Sequence, residues 1–351
     1  MINASVFMLK LIKSLCHNYK KKTEMKRFSI LLLFSLLAFV SCKKEKDEKK
    51  TEPNGQKLKE MFENKRSEAV QTFQIDAAAG GTITASQGTE IVFQPNTFLL
   101  NGNPVTGNVD IEVIEIYDRG GMVLQNKPTT GVRPNGDEET LISGGELFIQ
   151  AKQGNDVLST AMPYHVNTAN DPQGSFNNPM QVFKAGDQIN DDDKWEEADE
   201  DQDAHPDFAE VGERQNGTGQ WVIYYSFDTS SFGWTNLDRW YSYNGPLTTL
   251  NVSVPEPYDN TNCELFVLYD GEPKALARLD RYDAATGMFT EHFGKLPVGI
   301  DIHILMTSII DDVLHYSIIG LTSVANGTTA TMPEPQPTTE ADLIDVINAL
   351  P

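Results

Sequence analysis

The chain has 351 residues, 39% of them apolar, and carries 50 acidic against 28 basic side chains for a net charge of −22. That apolar content is ordinary for a globular protein, and the length is enough for two domains. A surface so acidic repels phosphate backbones, which excludes general nucleic-acid binding and leaves no basic patch for anionic lipid.

Residues 1–41 read as an export signal. From Met25 the chain runs MKRFSILLLFSLLAFVSC, with Lys26 and Arg27 before an apolar stretch from Phe28 to Val40 and Ser41 before Cys42. The apolar stretch is too short to cross a bilayer, which needs about 20 residues. Translation is expected to begin at Met25, because the basic run Lys20 to Lys22 makes an awkward leader. Residues 1–41 hold seven bases and one acid, so removing them leaves 21 against 49, or −28. Cys16 then departs with the signal, and Cys263 stands without a disulfide partner, in a strand-like run that predicts a buried structural thiol. Residues 42–70 read as a tether. A charge run from Lys43 to Lys50 and the Pro53-Asn54-Gly55 break cannot bury a core, while Gln56 to Val70 could form a short helix with Leu58, Phe62 and Ala69 to one side.

From Thr72 the period becomes two. Val109-Asp110-Ile111-Glu112-Val113 alternates apolar and acidic, the pattern of a strand with one wet face. Thr72 to Asp76, Thr82 to Ala85, Glu90 to Gln94 and Glu146 to Ala151 read likewise, with turn residues such as Gly80-Gly81 and Gly144-Gly145 between them. Residues 71–166 are therefore expected to form a first β-sandwich. Residues 167–220 read as an acidic linker or insert, since Asp187 to Asp203 holds ten acids and one Lys. Strands resume at Trp221, and 221–332 is expected to form a second sandwich; seven strands in about 100 residues fit that architecture. Residues 333–351 read as a Pro-rich linker and a short helix, with Thr339 and Asp342 as a capping pair and Leu343, Val346, Ile347 and Leu350 on one face. The predicted fold class is mainly β: two β-sandwich domains with a short C-terminal helix.

Five resemblances add to this. Phe39-Val40-Ser41-Cys42 resembles a lipobox, which implies lipidation of Cys42, with Phe39 where Leu is usual; the Lys- and acid-rich stretch behind it is similar to the surface-export signal of Bacteroidota lipoproteins. Gly80-Gly81-Thr82-Ile83, Gly88 to Pro95, Phe98 and Val109 to Ile116 resemble a ZU5-type β-sandwich, which implies a fold and protein association without chemistry. The second sandwich is similar to immunoglobulin-like or transthyretin-like domains. Phe232 to Trp240 is similar to a segment of uncharacterised Bacteroidota lipoproteins, with Leu237 in place of a Cys. The implied address is the outer membrane, with the body at the cell surface.

Candidate sites were weighed against duller readings. Asp191, Asp193 and Glu196 could offer oxygens to Ca²⁺, but the run lacks the alternating Asp and the sixth-position Gly of an EF-hand, and reads mainly as a solvated loop. Trp234, Trp240 and Tyr243 could contact a glycan or protein ligand, although aromatics more often fill β cores. His165, His205, His292, His303 and His315 show no zinc spacing, and His303 and His315 are expected to face solvent. No catalytic residue and no cofactor is expected. The function read from sequence is a lipid-anchored envelope protein acting as a binding or scaffolding module. The rivals are a glycan-binding accessory lipoprotein and an envelope enzyme whose site assembles only in three dimensions.

Overall fold

The structure is a computed structural model that describes residues 52–171 and 179–351. The signal, Cys42 and the charge run after it lie outside the described residues. The protein is mainly β, as its alternating apolar pattern predicts. Thr51 to Pro351 forms one compact unit.

Four sheets stack in this unit. An outer five-stranded sheet (Glu210–Gln215, Trp221–Thr229, Tyr164–Asn167, Glu90–Phe93, Gly81–Thr84) faces an eight-stranded sheet built on Asn108–Ile116, Glu138–Gln153 and Gly233–Trp240. Between them lies a first core that includes Ile91, Phe93, Ile111, Val113, Ile149, Val166 and Tyr225. The second sandwich pairs a four-stranded sheet (Arg281–Asp283, Met288–Pro297, Leu247–Ser253, Thr328–Thr331) with a five-stranded sheet led by Cys263–Tyr269, Ile302–Ile310 and Val313–Leu321. Leu250, Val252, Leu265, Val267, Ile304 and Met306 fill that core.

A third core fuses the two. Ile114, Phe148, Trp234 and Trp240 from the eight-stranded sheet join Phe266, Leu268, Leu305 and Leu314 from the second sandwich. The inner sheets are thus covered on both faces, which is why Glu138–Gln153 is buried almost without interruption from Leu141 onward. Main-chain bonds cross this seam: Ser143 N donates to Lys274 O at 3.0 Å and Thr129 N to Leu276 O at 2.8 Å.

Three helices sit along the seam. Helix α1 (Gly55–Glu68) is capped by Asn54, whose side chain accepts from Lys57 N, and buries Leu58, Phe62 and Arg66. Helix α2 spans Arg119–Leu124, and helix α3 (Glu340–Asn348) is capped by Thr339 and buries Leu343 and Ile347. Gly120 is where α2 and α3 touch: a Cβ there would lie 2.9 Å from Ile344 Cγ2, and Gly120 N donates to Asn348 Oδ1 at 2.9 Å. The C-terminal helix therefore docks on its own body.

Three expected boundaries move. Residues 55–68 of the expected tether are helical and docked. Trp221–Thr229 and Gly233–Trp240, expected to open the second sandwich, pair instead with Tyr164–Asn167 and Glu138–Gln153 of the first. Three strands of the expected acidic insert, Gln181–Lys184, Trp195–Glu197 and Glu210–Gln215, also belong to the first sandwich. The second sandwich begins at Leu247. A period of two identifies a strand, but it carries no information about which distant strand will accept its hydrogen bonds.

Candidate functional site

The pairing of five strands closes on itself. Glu138–Gln153 bonds Gly233–Trp240, which bonds Gln181–Lys184, then Trp195–Glu197, then Thr130–Val132, which returns to Glu138–Thr140. Phe183, Trp195, Trp240 and Leu141 belong to the apolar cluster on one face of this ring. A Cβ on Gly131 would lie 2.7 Å from Trp240 Cη2 and 2.9 Å from Leu141 Cδ1, so the ring is packed shut there. Small closed sheets fill their interiors with side chains in this way.

Polar groups interrupt that face in the middle of the molecule. The ladder sets Asn236 opposite Glu146, and after a bulge at Leu237/Asp238 it sets Asp238 opposite Ser143. Glu146, Asn236 and Asp238 are each 0% exposed. Ser143 Oγ donates to Asn236 Oδ1 at 2.8 Å, and Asn236 Nδ2 donates to Asp238 Oδ2 at 2.7 Å. Asp238 Oδ1 and both Glu146 oxygens have no hydrogen-bond partner. Glu115, buried in the same sheet, shows the ordinary solution: it accepts from Thr89 N, Gln87 N and Gln71 Nε2 at 2.8–3.0 Å. An unpartnered buried carboxylate costs far more than a paired one, so burial pushes the carboxyls of Glu146 and Asp238 well above the usual range.

The nearest compensating cation is Lys127. It is 2% exposed, its Nζ stands 4.2 Å over the Trp234 ring, and it donates to Asp191 O. Burial pulls its amine down to about 8, with Arg66 adding to the effect. Arg66 is held by Asp192 Oδ1 at 2.8 Å and by Gln125 O. Two carboxyls with shifted affinities beside a depressed amine are the ingredients of acid–base chemistry. Here the two carboxyls are sealed in the core at 0% exposure, out of a substrate's reach.

The open polar surface lies around the acidic segment. One cleft of about 660 Å³ is lined by Lys184, Asp192, Asp193, Lys194, Glu196 and Glu197. A second, of about 460 Å³, is lined by Arg133, Glu197, Asp199 and His205 among others. Between them Glu197 accepts from Trp240 Nε1 at 2.6 Å, while the Arg133 guanidinium stacks 3.6 Å over the same indole and bonds Glu139. Both volumes are in the range of small-ligand sites; the larger is walled mainly by charged side chains, whereas the second mixes charges with Val132, Pro134 and Pro206.

The expected site residues separate. Trp234 is 0% exposed and Trp240 8%, so both are core residues and not stacking platforms. Tyr243 is 36% exposed, with its hydroxyl donating to Val298 O at 3.1 Å. The acidic trio is divided among different jobs: Asp191 Oδ2 accepts from Gln188 N, while Asp193 and Glu196 line the larger cleft. Among the described residues, the acids whose oxygens lie within 4.8 Å of one another are Asp199, Asp201 and Asp203, all exposed. Their spacing was legible as Asp-x-Asp-x-Asp, and Ala204 at the sixth position has φ +68°, where an EF-hand has Gly. His303 is half-buried rather than exposed, with Nδ1 2.7 Å from Asp270 Oδ1. His165 bridges Asp228 and Asn167. Neither ring bonds a Ser or Thr hydroxyl among the described residues, so no nucleophile is activated there.

Cys263 is 3% exposed, donates to Asp259 O at 3.1 Å, and burial pushes its thiol up, away from the reactive thiolate. A maleimide should therefore leave the Cys263 peptide unlabelled in the folded protein and label it in urea, as read by peptide mass mapping. No helix among the described residues is long and apolar enough to cross a membrane. No family model matches the chain, and no curated protein matches it either.

Proposed function

We propose that the protein is a lipid-anchored binding or scaffolding component of the cell envelope, held at the outer membrane through Cys42 and presenting its double sandwich as one rigid platform. The observation that carries this reading is the seam. Helix α1 begins thirteen residues after the predicted lipid acceptor, and its Leu58 and Phe62 are part of the core that fuses the two sandwiches. A tether joined there pulls on the whole body and not on one swinging domain, as a scaffold requires.

Two further points support recognition over catalysis. The carboxyls with strongly shifted affinities are sealed, and the larger open cleft is walled by charges suited to a polar partner. The glycan reading loses Trp234 and Trp240 as sugar platforms, and nothing specific in the geometry favours it.

The test is metabolic labelling with a palmitate analogue and fractionation of cells expressing wild type and Cys42→Ala. Wild type should be labelled and sediment with membranes, and the variant should be unlabelled and soluble. A Cys42→Ala protein that stays with membranes would sink the anchor. Protease shaving of intact cells then reports whether the body faces outward.

A further inference from the structure

The geometry points to a proton-loaded lock in the seam: Glu146 and Asp238 keep their carboxyl protons while the two sandwiches are joined, and losing those protons weakens the junction. The placement carries the argument. Both side chains leave the same face of the Glu138–Gln153/Gly233–Trp240 ladder, the face shared with the seam residues Phe148, Trp234 and Trp240. Ser143, directly opposite Asp238, gives its main-chain N–H to Lys274 O of the second sandwich. The two carboxyls therefore sit behind a bond that crosses the junction.

Charge counting leaves little alternative to protons. The carboxyls act on each other, and Lys127, from the loop after α2, is the one cation that acts on Glu146. That amine is already committed to Asp191 O and the Trp234 ring, and no contact of 4.0 Å or less joins it to Glu146. Behind Lys127 stand Arg66 from α1, paired with Asp192, and Asp191 from the acidic loop. The second sandwich brings apolar groups to the shared cluster, among them Phe266, Leu268 and Leu305. Two ionised carboxylates here would have three oxygens without donors. Neutral carboxylic acids lower that cost, because an unpaired buried carboxyl is far cheaper than an unpaired buried charge.

The sign follows from linkage. A carboxyl whose folded-state affinity for protons is raised binds more protons folded than unfolded, so stability falls as pH rises from the unfolded carboxylate range towards the folded value. Lys127 works in the opposite direction, but only above about pH 7, since the folded amine is half discharged at about pH 8. The window between pH 5 and 7 therefore isolates the carboxyls from Lys127. Glu264 and Glu272 are also pushed up by burial and contribute a background slope common to all variants.

The experiment is urea unfolding of the full body at pH 5, 6 and 7 for wild type, Glu146→Gln and Asp238→Asn, with hydrogen exchange of the Ser143 and Leu276 amides. The expected result is a wild-type midpoint that falls with pH more steeply than either variant's. Seam amides should open earlier at pH 7 in wild type than in the variants. Equal slopes in all three proteins would overturn the lock, as would variants less stable than wild type at pH 7. Should the amides fail to fold, infrared spectra of wild type decide alone. The lock requires a protonated-carboxyl C=O band at neutral pH, and its absence refutes it.

Discussion

Trp234→Ala should destabilise the protein by about 3–5 kcal/mol, the usual cost of emptying a buried aromatic site. The indole is 0% exposed, lies 5.3 Å from the Phe148 ring, and gives its Nε1–H to the carbonyls of Gln188 and Ile189. Truncation removes those contacts and also uncovers Lys127, whose ammonium loses the ring 4.2 Å beneath it. A desolvated cation over an indole contributes about 1–2 kcal/mol by itself, so the upper half of the range is expected. Tyr243→Ala, at a ring 36% exposed, should cost less than about 1 kcal/mol. The pair separates two roles that look identical in sequence. Denaturant midpoints that place Trp234→Ala within 1 kcal/mol of wild type would return this side chain to the surface and reopen ligand contact.

The sequence showed strands well and their partners poorly. Val109 to Val113 alternates, and in the fold Val109, Ile111 and Val113 are all 0% exposed in the first core, as the pattern demands. Glu146 and Asp238 were invisible for the same reason. A polar residue at every second strand position reads as a wet face, and only a second layer covering that face turns it into a buried one. That layer, at Phe266 and Leu268, is 120 residues from Glu146 and 28 from Asp238 in sequence, and local periodicity does not report it. The aromatic stretch is core, the commoner reading of β aromatics, because both faces of Gly233–Trp240 are covered and every residue in it but Arg239 is buried. The Asp199 trio is different: its Asp-x-Asp-x-Asp alternation is legible in the sequence, three residues beyond Glu196. Gly144-Gly145 was read as a turn between strands. It lies inside one continuous 16-residue strand, where the ladder register shifts opposite Leu237/Asp238. Paired glycines mark either a turn or a bulge, and the difference depends on whether the flanking segments share a direction.

That bulge sets up the second large effect. Gly145→Ala should cost about 3 kcal/mol or more, since it combines backbone strain with overpacking. Gly145 has φ +144°, and a Cβ added there would stand 2.2 Å from Tyr117 Cε1. Tyr117 has little room to yield, because its hydroxyl is 2.7 Å from Thr89 Oγ1 and accepts from Ala169 N at 3.0 Å. Gly144→Ala is the control. Its Cβ would meet Leu237 O at 3.1 Å and the Tyr225 ring at 3.3 Å, a squeeze of tenths of an ångström, so about 1 kcal/mol is expected. Tyr117→Ala combined with Gly145→Ala then separates the two causes, because removing the ring relieves the clash and leaves the backbone strain. A double variant no less stable than Tyr117→Ala alone would show that the clash was everything. Gly145→Ala at wild-type stability would show that the bulge is not where the register places it. In that case Glu146, one residue further on, would lose its place on the seam face, since a slip of a single position sends every following side chain to the opposite side of the sheet.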